Sequence, residues 1–173
     1  MRPDLDTYLL TLARVAAGRT TCIRRGVGCV LADVKGRVLA ISYNGVAAGM
    51  PHCNELFWMK DEEPNRMVLQ TEPFHKHACV GHDLPPGQDR CEAVHAEQNA
   101  LVQCARPDDI HTAYVTLAPC LACTKLLLGT GCQRICFIED HAGATGKELW
   151  TKARRAWSKR PAGSPDSPLP RPT

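Results

Sequence analysis

Apolar residues at Leu5, Leu9, Leu12, Ala13 and Ala16 recur at helical spacing behind the acidic residues Asp4 and Asp6, which predicts a capped amphipathic helix over residues 4–20. The period then shortens. Residues 27–31 and 37–43, joined by Asp33-Val34-Lys35-Gly36, read as the two strands of a hairpin. Between residues 45 and 90 the pattern dissolves into Gly, Pro, His and Cys, a stretch too long for a structureless loop in a compact domain, so something other than an apolar core is expected to hold it. Order returns with a helix over 92–105, a strand over 111–117, a helix over 120–128 that stops near Gly129 and Gly131, and a strand over 134–139. That alternation predicts parallel strands. Leu149, Trp150, Ala153 and Trp157 place a last helix at about 146–157, and the Pro- and Ser-rich residues 159–173 read as a disordered tail. The expected organisation is one domain, residues 1–158, carrying an insertion at 45–91.

A chain of 173 residues can bury most of its apolar surface in one core. No apolar run approaches the ~18–20 residues that span a bilayer, and the first residues lack the apolar stretch of a secretory leader. A cytoplasmic protein without a membrane partner is expected. The formal charge of +3 hides an asymmetry: six of the 21 basic residues lie beyond Thr151 against the single acid Asp166, leaving residues 1–151 at −2. With nine Phe, Tyr and Trp residues in all, this balance argues against a nucleic-acid polymer as partner. Ten cysteines would suit a disulfide framework in a secreted chain, but in a reducing compartment clustered cysteines point to metal. Cys29, Cys132 and Cys136 fall in apolar patterns and are read as core.

Candidate chemistry concentrates in His95-Ala96-Glu97 and in Pro119-Cys120-Leu121-Ala122-Cys123, the first cysteine following the histidine by 25 positions across a strand. One imidazole and two thiolates leave the fourth position on a zinc ion open, as catalysis requires. Residues two apart do not share a face of a regular helix, so His95 and Glu97 are placed at a helix start, and Cys120 and Cys123 fit the first turn of another helix. Two helix N-termini converging there favour thiolates and an anionic ligand. Zinc in such a site lowers the pKa of water from about 16 towards 7. Glu97, which is not a ligand in this reading, is the proton carrier of a hydrolytic nucleobase deamination, first as base and then as acid. Alone, Cys120-x-x-Cys123 fits a structural zinc knuckle or a redox pair as well, and His95 a core histidine; the joint spacing with a free glutamate selects the deaminase.

On these residues, together with residues 21–28, Tyr43-Asn44-Gly45, Pro51-His52-Cys53, 91–100, 114–120 and 125–131, the chain resembles the deoxycytidylate (dCMP) deaminases of the zinc-dependent cytidine deaminase-like superfamily over about residues 5–140. The resemblance implies a three-layer α/β/α fold with a mixed five-stranded sheet, self-association between dimer and hexamer, and conversion of the small nucleotide dCMP to dUMP and ammonia, feeding dTMP synthesis. It implies Asn44 at the sugar, backbone near Ala96 and Pro119 at the pyrimidine edge, and Arg24 or Arg25 at the phosphate, where a guanidinium makes paired charge-assisted bonds. It also implies a second, structural zinc, with Cys22, Cys53, Cys79 and Cys91 at the matching positions; His52, His75, His77 and His82 lie nearby, and His82 is an alternative to Cys79.

Where relatives tend to read Gly-Tyr-Asn-Gly-x-Pro, this chain has Ser42-Tyr43-Asn44-Gly45-Val46-Ala47. In regulated relatives that region helps bind the activator dCTP and the inhibitor dTTP, so such control is not expected here, and dCTP or a 5-substituted dCMP such as 5-methyl-dCMP stays open as the substrate. The loop 140–146, with His141, is a candidate cover for it. A tRNA or single-strand deaminase would need a basic, aromatic groove. A non-catalytic zinc-binding module would have no use for Glu97.

Overall fold

The structure, a computed structural model, describes residues 2–50, 52–54, 58–60, 67–69, 91–141 and 146–160. Asp4 accepts the Thr7 N–H at 2.9 Å and caps α1 (Leu5–Ala17). The buried stripe of α1 comprises Asp6, Leu9, Leu10, Ala13 and Ala16. Leu5, expected inside, is 48% exposed, because the stripe is rotated towards Leu10 and the paired carboxylate of Asp6. Strands β1 (Gly28–Ala32) and β2 (Val38–Tyr43) form the expected antiparallel hairpin. Its turn is held by Asp33 Oδ1, which accepts from the N–H groups of Lys35 and Arg37 at 2.8 and 2.9 Å, and by Gly36 at φ +76°.

Two short antiparallel strands, β3 (Trp58–Lys60) and β4 (Met67–Leu69), form a separate pair. The chain continues through α2 (Ala96–Gln103), β5 (Thr112–Leu117), α3 (Leu121–Leu128), β6 (Arg134–Glu139), α4 (Gly146–Lys152) and β7 (Ala156–Lys159). The main sheet runs β2-β1-β5-β6-β7, antiparallel across β2, β1 and β5 and parallel from β5 to β7. Alternate residues of its strands feed two cores. Cys29, Leu31, Val115, Ile135 and Phe137 pack with Ala100, Leu127 and Trp150 of α2, α3 and α4, while Val30, Tyr114, Cys136 and Ile138 pack with Leu9, Leu10 and Ala13 of α1. Covering both faces explains why these strands read as nearly continuous apolar runs, and it makes the fold the expected three-layer α/β/α arrangement with a mixed five-stranded sheet. At Gly28 a Cβ would lie 1.9 Å from the Ala13 carbonyl oxygen, so α1 rests directly on the backbone where β1 begins.

The C-terminal helix is shorter than its apolar spacing predicts. It stops at Lys152, the chain turns through Arg154 at φ 58°, and Ala156–Lys159 joins the sheet as its fifth strand. The Trp150 indole N–H donates to the Ala156 carbonyl at 2.9 Å, and Trp157 meets Phe137 edge-on at 5.4 Å between ring centroids. The two tryptophans are therefore inner residues of two elements rather than one face of a single helix. Lys159 and Arg160, grouped with the tail by composition, belong to this edge, and Arg160 donates to Asp6 at 2.9 Å. The expected helix over 92–105 begins only at Ala96, because its N-cap residue His95 is extended (φ −69°, ψ 154°). Cys79, His75, His77, His82 and the tail residues 161–173 lie outside the described residues.

Candidate active site

Two helix starts meet at the carboxyl end of the parallel strands, where open α/β sheets bind ligands. His95 is the N-cap of α2 and Cys120 that of α3, so the irregular first turns required by the motif spacing are both present. Each start is anchored. The Gln98 side-chain oxygen accepts the His95 N–H at 2.9 Å, and the Thr124 hydroxyl and N–H both donate to the Cys120 carbonyl at 2.9 Å. Asn99 donates to the Tyr43 carbonyl at 2.9 Å and Gln103 to the Ser42 hydroxyl at 3.3 Å, which fixes α2 against β2. Ser42, the departure from the glycine of relatives, thus has a partner on α2.

His95 Nδ1 lies 3.5 Å from Cys120 Sγ and 3.4 Å from Cys123 Sγ. A tetrahedral ion with bonds of about 2.3 Å to sulfur and about 2.0–2.1 Å to nitrogen separates such donors by about 3.6 Å. The three donors therefore have both the chemistry and the spacing that zinc requires, and among the described residues they are the one such cluster. The Cys120 thiol is pushed down to about 3, first by its hydrogen bond with Cys123 and then by the one with His95. The direction favours a thiolate at Cys120 as a ligand for a cation. Glu97, 4% exposed, sits in the first turn of α2 beside the cluster. Burial pushes its carboxyl up, while its own backbone N–H and the His95 imidazole pull the other way.

A cavity of about 370 Å³ opens onto this cluster and is walled by Val27, Ala96, Leu117 and Ala118, by Cys22 and Cys91, and by Asn44, Arg24, Arg25 and His141. Asn44, expected at the sugar, is 8% exposed, and its amide is already at work. Its Oδ1 accepts from the Val27 N–H at 2.8 Å and the Thr20 hydroxyl at 3.0 Å, and its Nδ2 donates to the Arg25 carbonyl at 2.8 Å. Asn44, which lines the cavity, therefore pins the arginine-bearing loop to the end of β2, and its amide carries a second N–H beyond the bond to Arg25. Ala96, in the first turn of α2, lines the cavity, whereas Pro119 is buried just before α3, between the lining residues Ala118 and Cys120.

The two arginines differ. Arg25 pairs with Glu139 at the end of β6, a partner that sequence reasoning missed, whereas Arg24 makes no side-chain hydrogen bond or ion pair among the described residues. The expected second cluster is brought only partly together. Cys22 and Cys91 line one cavity, and His52 Nδ1 shares a hydrogen bond with Thr21 Oγ1 at 3.2 Å, which joins the loop of buried Cys53 to that of Cys22. The three cysteines do not form a cluster of the kind seen at His95, and Cys79 lies outside the described residues.

A three-layer sheet with a His-Cys-Cys cluster at two helix starts defines a deaminase-type zinc hydrolase. The chain belongs to the cytidine and deoxycytidylate deaminase zinc-binding region family, whose model matches residues 3–139. It is 39% identical over 140 residues to the deoxycytidylate deaminase of Mycobacterium phage D29, covering 80% of this chain and 98% of that one. It is 33% identical over 139 residues to the deoxycytidylate deaminase of Schizosaccharomyces pombe, covering 79% of this chain but 37% of that longer protein. Among solved structures, the dCMP deaminase of cyanophage S-TIM5 in complex with dCMP and dUMP superposes with a TM-score of 0.64 at 19% identity, covering 92% of this chain and 99% of that one. At that identity the likeness shows the fold.

Proposed function

We propose that this protein converts dCMP to dUMP and ammonia, with His95 Nδ1 and the sulfurs of Cys120 and Cys123 as the zinc ligands. The observation that carries the reading is the convergence of those three donors at 3.4–3.5 Å beside a buried, non-ligand carboxylate, in a cavity whose rim bears arginines. Zinc held there supplies the Lewis acid that makes water nucleophilic at neutral pH. Glu97 would take one proton from the attacking water and pass it to the cytosine ring nitrogen, then take the second from the hydroxyl now on the ring carbon and deliver it to the amine, which leaves as ammonia. Its burial suits the first duty, because a carboxylate whose pKa is raised from its ordinary value is the stronger base towards the attacking water. The remaining Asn44 N–H is offered to the sugar, the main chain at Ala96 and Pro119 to the pyrimidine edge, and the arginine loop to the phosphate. Names of the relatives favour the same substrate: both phage D29 and fission-yeast proteins are deoxycytidylate deaminases.

The rest of the reading is also ours. Cys22, Cys53 and Cys91, completed by Cys79 or His82, hold a second zinc that tethers the insertion, supported by the shared cavity wall and the Thr21–His52 bond. Self-association is supported by exposed Val102, Leu121 and Leu126 on the neighbouring helices α2 and α3. A cytoplasmic location agrees with the absence, among the described residues, of a helix long and apolar enough to cross a membrane. The test is ammonia release from cytidine, dCMP, 5-methyl-dCMP and dCTP, with bound zinc measured on the same sample. Preference for dCMP and about two zinc ions per chain, falling to one in Cys53→Ser, is expected. Preference for dCTP or the methylated base would move the substrate. Turnover of none would overturn the reading, and zinc content unchanged by Cys53→Ser would refute the second site.

A further inference from the structure

Arg25, which lines the cavity, pairs with Glu139, one standing in the loop before β1 and the other being the last residue of β6. Both side chains are more than half exposed, at 53% and 62%. An ion pair so exposed contributes little to folding, so its position calls for another account. Its anchorage is firm on both sides. The Arg25 carbonyl is held by Asn44 Nδ2 at 2.8 Å, and the Glu139 carbonyl accepts the Ala118 N–H at 2.8 Å, within one residue of the cavity wall. The carboxylate thus stands beside the Arg25 guanidinium, in reach of the loop that offers Arg24 and Arg25 to a phosphate. It cancels one of the two guanidinium charges, and the arginine pair with its glutamate carries a formal +1. Lys159 of β7 is itself paired with Asp140, the residue after Glu139. A phosphomonoester dianion is matched by such a rim. A triphosphate, which needs more cation and extends further past the mouth, meets the Glu139 carboxylate instead.

We propose that Glu139 is a specificity-determining residue that sets the charge of the phosphate rim and so selects a nucleoside monophosphate over a triphosphate. This rests on the dCMP-deaminase reading above and adds to it the residue that sets the phosphorylation state. The Arg25–Glu139 pair works by subtraction: it removes a charge that a longer phosphate chain would use and leaves Arg24 as the uncompensated cation.

The test is turnover-free. Dissociation constants of the product pair dUMP and dUTP are measured by calorimetry on the zinc-loaded protein, in wild type, Glu139→Gln and Arg24→Ala, at low and high salt. The expected result is preference for dUMP in wild type and, in Glu139→Gln, a shift of the dUTP-to-dUMP affinity ratio towards dUTP by roughly tenfold, as loss of one nearby unit charge implies, shrinking at high salt. Arg24→Ala should weaken both nucleotides. Wild type that binds dUMP, with a ratio unchanged in Glu139→Gln, overturns this inference alone. Wild type that binds neither nucleotide overturns the nucleotide reading and the inference with it.

Discussion

A single carboxylate decides whether the His-Cys-Cys cluster is a catalyst or a clasp. Glu97 is buried at the first turn of α2 and, in this reading, is no ligand, so Glu97→Gln should keep the zinc while removing the proton carrier. Turnover of dCMP should fall about a thousandfold, within the range for a lost general acid–base group, with metal content by plasma emission unchanged; near-normal turnover would rule this role out. The candidate ligands were legible in sequence because zinc demands particular donors at short spacing, and helix starts were the one place where His95 and Glu97 could converge. Asn44 was legible as a site residue, but its service as a pin for the 20–27 loop was not, since that rests on three partners only the fold brings together. Glu139 left no trace at all. It stands 114 residues from Arg25, and an exposed pair of opposite charges follows no periodicity.

Elements position that chemistry through contacts too close for a side chain. At Gly28 an added Cβ would sit 1.9 Å from the Ala13 carbonyl oxygen and 2.8 Å from the Ala17 nitrogen, both backbone atoms that cannot swing aside. Gly28→Ala must therefore lift α1 off β1, at a cost of about 3 kcal/mol. For a chain of this size that is a fall in Tm of roughly 6–12 °C by calorimetry; an unchanged Tm would mean that α1 is not seated as described. Helix α1, the hairpin, β5, α3 and β6 were readable because each carries one period between clear stops. The end of the chain was not. Trp150 and Trp157 stand seven apart, a helical interval, yet the intervening Arg154 takes a positive φ, and the second tryptophan is placed by a strand pairing with β6. Propensity carries no signal for that long-range partner, and the fifth strand was hidden under a plausible helix.

The molecule is closed at its far side by one buried carboxylate that joins its beginning to its end. Asp6 on α1 accepts from the Tyr114 hydroxyl of β5 at 2.9 Å, from Arg134 of β6 at 2.9 and 2.6 Å, and from Arg160 just beyond β7 at 2.9 Å. In the sequence Asp6 reads only as a helix cap, because a partner set spread from residue 114 to residue 160 has no local signature. The hydrogen bond from Arg134 is the main cause of its lowered pKa, with Tyr114 adding to it and burial opposing. The sign follows from linkage. A carboxyl depressed below its ordinary 3.8 in the folded state binds fewer protons there than in the unfolded chain, so its contribution is present above about pH 4 and is lost as pH falls through the folded value. Asp6→Asn keeps the shape but not the charge, and leaves Arg134 and Arg160 without their acceptor. It should cost about 2–3 kcal/mol at pH 7, read as a lower urea midpoint. As pH drops below about 4 the wild type loses the same contribution, so the two proteins' midpoints should converge. A gap that stays constant from pH 7 to pH 3 would show that the closure owes its strength to packing, and that the charge on Asp6 does not hold the two ends of the chain together.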